Sequence, residues 1–195
     1  MSYHIYTTDG IILKRTPFGE ANVLLHILTE DLGLIMASAR AARLSVSKLR
    51  PALQEYAHIS LSCIKSKNGW KVTNVVPKGS FYFEYPEYSH KVVAQVTSLL
   101  LKMISGESPH PEIFQTIHSG FEFLRQLSQE KIPDFEILMV LRIIKELGYV
   151  SGSELSRTDL DNSVEWNDEL LKKVGESKKT LVGLINKGLK ESHLT

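Results

Sequence analysis

Between Arg40 and Lys71 the chain concentrates side chains that suit phosphate binding. Seven of these 32 residues are basic and only one, Glu55, is acidic. The basic residues are Arg40, Arg43, Lys48, Arg50, Lys65, Lys67 and Lys71. Clustered cations bind a polyanion well, because each neutralised phosphate releases a counterion. The stretch therefore predicts a surface for nucleic acid rather than a pocket for a small substrate.

An aromatic residue, Trp70, lies in the same stretch, directly before Lys71. A planar indole can stack a nucleobase, which contributes about 1–3 kcal/mol per base with little sequence preference. We therefore predict that the seven cations and Trp70 contact DNA. Two alternatives remain open: the lysines serve only solubility, and Trp70 packs the first half of the chain against the second.

Residues that could support catalysis or hold a metal show no recognisable pattern. The chain lacks the G-x-S-x-G, H-E-x-x-H and P-loop motifs. Its seven histidines do not occur at metal-ligand spacing with a cysteine or carboxylate. Because Cys63 is the only cysteine, an internal disulfide and a multi-cysteine zinc site are both excluded. We expect a binding protein that is not an enzyme and has no cofactor, with a buried, inert Cys63. A hydrolase is the least favoured class.

Charge is distributed unevenly along the chain. Residues 1–80 contain ten Lys or Arg and five Asp or Glu, whereas residues 81–195 contain thirteen and seventeen. This asymmetry favours two modules with different partners, and 195 residues can form two small cores. No run approaches the ~18 apolar residues of a membrane span. The first residues do not resemble a signal peptide either, so a cytoplasmic location is expected.

Residues 1–80 have the pattern of a five-stranded β domain. We predict strands over Ile5–Lys14 (interrupted at Asp9-Gly10), Glu20–Thr29, Leu34–Ala41, Leu53–Lys65 and Trp70–Val76. Asn68-Gly69 is the strongest hairpin signal, and a two-residue turn there would pair Lys67 with Trp70 and Ser66 with Lys71. Five strands with a longer break after the third fit a closed OB-type barrel, an architecture that binds oligonucleotides.

From about residue 86 the apolar residues recur at helical spacing. Helices are predicted to end near Ser105, to span about 111–127 and 133–147, and to cover about 167–192 with an interruption near Gly175. Residues 149–166 have the composition of a polar loop. The expected fold class is α+β: an N-terminal five-stranded OB-type barrel over residues 1–80, followed by an all-α helical domain over residues 81–195.

A series of positions between Gly19 and Tyr56 resembles the N-terminal domain of the RecO family. The matching positions are Gly19-Glu20-Ala21-Asn22, Leu24-Leu25, Ile27-Leu28-Thr29-Glu30, Gly33, Ala39-Arg40-Ala41-Ala42-Arg43, Ser47, Leu49-Arg50 and Leu53-Gln54-Glu55-Tyr56. A second, weaker similarity lies in residues 140–149, whose Leu147-Gly148-Tyr149 is similar to the end of a helix in the family.

The resemblance implies a recombination mediator in DNA repair. Such a protein binds single- and double-stranded DNA, anneals complementary strands, and helps to load recombinase together with RecR and single-stranded-DNA-binding protein, at the nucleoid in the cytoplasm. Arg40, Arg43 and Arg50 match basic positions of the family's loop, whereas the other predicted contacts depend on charge and aromaticity alone. The alternative function is a protein-interaction adaptor with an OB fold that has lost productive DNA binding.

The chain departs from the family pattern in three respects. Arg40-Ala41 replaces the usual Lys-Gly, so that the cation is kept while the backbone freedom of glycine is lost. Many members carry a cysteine-rich zinc element in their C-terminal part, which a chain with only Cys63 cannot form, and residues 149–166 are its expected remnant. The chain is also shorter than most members, which puts in doubt the partner contacts that the missing region makes.

Overall fold

The computed structural model describes residues 4–151 and 165–192 of the chain. The chain divides into two compact units, one of residues 1–85 with 104–114, the other of residues 86–103 with 115–195. The first unit thus includes residues 104–114, which lie within the predicted helical domain of residues 81–195. Within this unit the segment lies against the barrel, because a side chain added at Gly33 would meet the backbone of Ser108.

Five strands form a closed barrel in the first unit. They are β1 (Ile5–Phe18), β2 (Asn22–Thr29), β3 (Gly33–Ala39), β4 (Ala57–Ser66) and β5 (Gly69–Ser80). Neighbouring strands follow the order β1-β2-β3-β5-β4, and β4 pairs with β1 to close the sheet. Strands β3 and β5 are parallel, and the other pairs are antiparallel. The prediction of an α+β protein that begins with an OB-type barrel is confirmed.

The first strand is longer than predicted and is not interrupted at Asp9-Gly10. Gly10 pairs with Thr29 of β2 on one side and with Ile59 of β4 on the other. A Cβ atom at Gly10 would lie 2.7 Å from Cγ2 of Ile27. The absence of a side chain at Gly10 therefore lets the side chain of Ile27 approach the backbone of β1 closely. Besides turns, such close approaches are a common reason for glycine in a strand. The strand also extends beyond its predicted end at Lys14, because β1 continues through Pro17 to Phe18.

Alternation along the strands directs apolar side chains into the barrel. In β3, Ile35, Ala37 and Ala39 are fully buried, whereas Met36 is exposed and Ser38 is half-buried. Strand β4 begins at Ala57 instead of Leu53, yet Leu53 is fully buried from the connection that precedes the strand. Leu53 is therefore apolar because it is buried in the connection, and not because it belongs to the predicted strand.

Five α-helices and one short 3-10 helix follow among the described residues. They are α1 (Glu87–Met103), α2 (Pro111–Leu124), the 3-10 helix Gln129–Lys131, α3 (Ile132–Glu146), α4 (Asp168–Glu176) and α5 (Lys178–Glu191). Helix α3 packs against α1, α4 and α5, as its apolar composition predicts. The predicted interruption near Gly175 occurs at Ser177. Most of the predicted polar segment, residues 152–164, lies outside the described residues. No described helix is both long and apolar enough to cross a membrane.

Candidate nucleic-acid interface

A shallow depression of about 330 Å³ lies on the outer surface of β3, β4 and β5. Its lining includes the cations Arg40 and Lys71, together with the hydroxyl groups of Ser38, Ser66 and Thr73. We call it the Arg40–Lys71 depression. It combines positive charge with polar groups on a β surface, which is the combination that a nucleic-acid backbone requires.

The strand register explains why these two cations lie together. Because Ala37 and Ala39 point into the barrel, Ser38 points outward, and Arg40 follows on the same side at the end of β3. The parallel pairing of β3 with β5 places Ser38 beside Lys71. Arg40 is exposed and Lys71 is half-buried, so both can reach a ligand on this surface.

The hydroxyl groups of the depression are fixed by hydrogen bonds to the backbone. Ser38 Oγ donates to the carbonyl oxygen of Trp70 at 3.3 Å, and Thr73 Oγ1 donates to that of Ser62 at 3.0 Å. The cations are therefore the groups of this lining that could bind a phosphate, Arg40 with a planar fork and Lys71 as a compact charge. These hydroxyl residues are not among the predicted contacts, although Ser38 alternates with Ala37 and Ala39, a pattern that places it on the outer face.

Three predicted cations lie in the connection between β3 and β4. Arg43 donates from Nη1 to the carbonyl oxygen of Gly19 at 3.0 Å, and its backbone N–H donates to Ala21 at 2.9 Å. It therefore holds the connection to the turn between β1 and β2. Lys48 and Arg50 are exposed on the same connection. None of the three lines the Arg40–Lys71 depression.

The remaining two lysines lie near the hairpin between β4 and β5. Lys65 follows the buried residues Leu61 and Cys63 along β4 but is itself exposed, and its Nζ lies 2.6 Å from Oε2 of Glu107. The hydrogen bond from Lys65 lowers the pKa of Glu107 below its ordinary value. Lys67 is exposed in the hairpin turn. The structure thus brings two of the seven cations into one depression and pairs a third with a carboxylate.

The register of this hairpin differs from the predicted one. Ser66 pairs with Gly69, Lys65 with Trp70, and Ile64 with Lys71. The turn therefore lies at Lys67-Asn68, and Gly69 follows it with a φ of +91°. The predicted pairs of Lys67 with Trp70 and of Ser66 with Lys71 are wrong, because the glycine supplies its left-handed conformation after the turn and not within it.

Trp70 is buried in the barrel, which contradicts its predicted role in base stacking. Only 4% of the residue is exposed. The ring of Tyr6 packs edge-on against it at a centroid distance of 5.2 Å, and Lys65 Nζ lies 5.4 Å from its centroid. No ring face is left for a base. Alternation along β5 was the available signal, since Trp70 shares a strand face with Val72, which packs against the barrel core.

The described residues contain no group of three or more His, Cys, Asp or Glu side chains that could hold a metal. Cys63 is fully buried, and burial raises the pKa of its thiol to about 11. A neutral thiol in the barrel interior is a packing group, because nucleophilic attack requires an accessible thiolate.

Comparison with known proteins extends the interpretation of the barrel. A family profile described as "Recombination protein O N terminal" matches residues 1–79, which include all but the last residue of β5. The chain is also similar to proteins named "DNA repair protein RecO". That of Heliobacterium modesticaldum is 27% identical over 148 residues, or 74% of this chain and 52% of the relative. That of Dehalococcoides mccartyi is 32% identical over 130 residues, which are 66% of this chain and 51% of the relative.

A third relative, from Synechococcus elongatus, is 34% identical over 136 residues, or 64% of this chain and 50% of that protein. The chain thus spans about half the length of these curated relatives. The profile match covers the barrel, and the relatives extend the similarity beyond it. Residues 1–79 form an N-terminal domain of the RecO type, and the barrel of this domain bears the Arg40–Lys71 depression.

Proposed function

We propose that this chain binds DNA in repair and recombination, through the Arg40–Lys71 depression. The observation that carries the proposal is the parallel register of β3 and β5, which brings Arg40 and Lys71 to one surface of an OB-type barrel. Barrels of this type commonly bind oligonucleotides on their strands and flanking loops. The match to RecO proteins, which are named for DNA repair, supports the process in which this binding acts.

The proposed mechanism is electrostatic and involves no chemical step. Cations of the barrel neutralise the phosphates of a bound single or double strand, which releases counterions and lowers the repulsion between two complementary strands. Annealing then follows from base pairing between the strands. The proposed protein partners are RecR and single-stranded-DNA-binding protein, with which the chain would help to load recombinase at the nucleoid.

The test measures DNA affinity against salt concentration by fluorescence anisotropy of a labelled single-stranded oligonucleotide. Wild-type affinity should fall steeply with salt, and the double variant Arg40→Ala/Lys71→Ala should flatten the logarithmic slope by about one unit per lost contact. Lys14→Ala is the matched control, because Lys14 is an exposed cation of β1 that does not line the depression. Salt-independent affinity, or an unchanged slope in the double variant, would contradict the proposal.

The second candidate is an adaptor that binds proteins and not DNA. The pairing of Lys65 with Glu107 favours it, since this contact removes one cation from those available to phosphates. Capture of single-stranded-DNA-binding protein by the wild-type chain, with no binding to single-stranded or duplex DNA even at low salt, would establish the adaptor in place of the DNA-binding function.

A further inference from the structure

We propose that a base of single-stranded DNA stacks on Phe83, in a second cleft of the barrel unit. The inference rests on the proposed DNA binding and adds a site of different chemistry to the Arg40–Lys71 depression. Phe83 follows the end of β5 and is 73% exposed. Phenylalanine is usually buried, and no other Phe, Tyr or Trp among the described residues is as exposed.

Phe83 lines a cleft of about 330 Å³ at the end of the β4–β5 pair where Ala57 pairs with Ser80. Pro51 of the long connection and Pro77 of β5 contribute to its walls. Small-ligand sites usually have volumes of about 300–1,000 Å³. The cleft is at the lower end of this range, so it suits one planar base better than a large ligand.

Local contacts hold the Phe83 ring in place before any ligand binds. Its backbone N–H donates to Ser80 Oγ at 3.2 Å. Tyr82 packs edge-on against the ring at 5.5 Å between centroids, and Tyr82 in turn stacks on Tyr56 at 5.7 Å. A ring that is already positioned loses little conformational entropy on binding, which favours stacking.

The charges of the cleft favour an uncharged base over a phosphate. Lys78 forms an ion pair with Asp9, and the carboxylate of Glu84 lies in the lining, where its Oε1 accepts from Ser80 N at 2.9 Å. This carboxylate would repel a phosphate, whereas the amino groups of a base can donate to it. The lining of the Arg40–Lys71 depression, by contrast, contains two cations and no carboxylate.

The two sites lie at opposite ends of the β4–β5 pair. Along β4, Ile64 of the depression and Ala57 of the cleft are seven residues or about 23 Å apart. Along β5 the two linings come closest at Thr73 and Pro77, which are four residues or about 13 Å apart. A single OB-type barrel covers about 4–16 nucleotides of single strand. One strand can therefore place its phosphates at Arg40 and Lys71 and a base of a more distant nucleotide on Phe83.

The test uses the full chain and an oligonucleotide that contains the fluorescent base 2-aminopurine, whose emission changes when it stacks. Phe83→Ala should weaken binding at least about 5-fold, as expected for the loss of about 1 kcal/mol or more of stacking, and should abolish the emission change. Phe83→Trp should retain both. Phe83→Leu should lose both, because leucine keeps apolar bulk without a π face. Val76→Ala, which removes exposed apolar surface elsewhere on β5, should change neither.

An abasic oligonucleotide with the same number of phosphates separates stacking from charge. Its affinity should be the same for wild type and Phe83→Ala. Equal weakening on the abasic and the base-containing strands would overturn the stacking inference. If the salt slope depends on Arg40 and Lys71 while Phe83→Ala binds like wild type, the inference alone fails. If the wild-type chain binds no DNA at low salt, the proposed function fails together with it.

Discussion

Lys65 Nζ lies 2.6 Å from Oε2 of Glu107, 42 residues further along the chain. The sequence suggests Lys65 as a phosphate ligand, yet the fold provides a carboxylate for it within the same compact unit. Both side chains are largely exposed, at 57% and 43%, so the pair is screened by solvent. The main consequence of the pair is a smaller local positive charge, because a lysine beside a carboxylate attracts a phosphate less strongly.

This ion pair predicts a pH-dependent effect of Glu107→Gln on stability. The hydrogen bond from Lys65 holds the pKa of Glu107 below its ordinary value of 4.5. A carboxyl group with a lowered folded-state pKa stabilises the fold above its unfolded-state pKa, and the contribution disappears as pH falls through the folded-state value. Urea unfolding should therefore show a small deficit for the variant near neutral pH, below about 1 kcal/mol for such an exposed pair, and none in acid. A deficit that stays constant over this pH range would contradict the assignment.

Ala41→Gly should stabilise the barrel. Ala41 has a φ of +53°, in the left-handed region that disfavours residues with a Cβ atom. Replacement by glycine removes this strain and should increase the free energy of unfolding by about 0.5–1 kcal/mol, measured by denaturant titration. Ala21→Gly is the matched control, because Ala21 does not have a positive φ, and it should destabilise the protein instead. Equal effects of the two substitutions would show that strain at Ala41 is negligible.

Gly33→Ala should destabilise the first unit strongly. Gly33 has a φ of +72°, and a Cβ there would lie 2.7 Å from the carbonyl carbon of Ser108 and closer still to its oxygen. The variant should lose about 2–4 kcal/mol of unfolding free energy through strain and displacement of this backbone. Gly106→Ala separates the two causes, since Gly106 has a φ of +80° with open space around it. It should lose only about 1–2 kcal/mol, and equal losses would mean that the Ser108 contact contributes nothing.

Cys63 should report the unfolding of the barrel. Its thiol is fully buried and its pKa is raised to about 11, so it stays neutral at pH 8. We expect no reaction with a disulfide reagent such as DTNB in native buffer, and one equivalent per chain in denaturant, because Cys63 is the only cysteine. Rapid stoichiometric labelling of the native protein would show that the barrel opens locally around β4.

The strand alternation in the sequence determined the barrel and the outward direction of Arg40. Ile35, Ala37 and Ala39 alternate with larger or polar neighbours, and a side-chain period of two residues places these three on one face of the strand. The same rule, applied to Trp70, predicts its burial. Its basic neighbours favour a stacking role instead, and the burial of Trp70 contradicts that role.

Glycine illustrates where local signals are ambiguous. Asp9-Gly10 and Asn68-Gly69 have the same form, yet the first lies within a continuous strand and the second at a hairpin. Gly10 is required by the nearby side chain of Ile27, which comes from another strand. Only a contact between residues distant in sequence distinguishes such a glycine from one in a turn.

The order of residues by itself determined the β-then-α organisation, the burial of Cys63 and the concentration of positive charge before residue 80. Periodicity and composition are local properties, and they suffice for these features. The tertiary structure decided which charges lie together. The parallel β3–β5 pairing brings Arg40 and Lys71 to the same depression, and Glu107 forms an ion pair with Lys65. The physical reason is that a binding surface depends on distances between groups far apart in the chain, and these distances exist only after the barrel has closed.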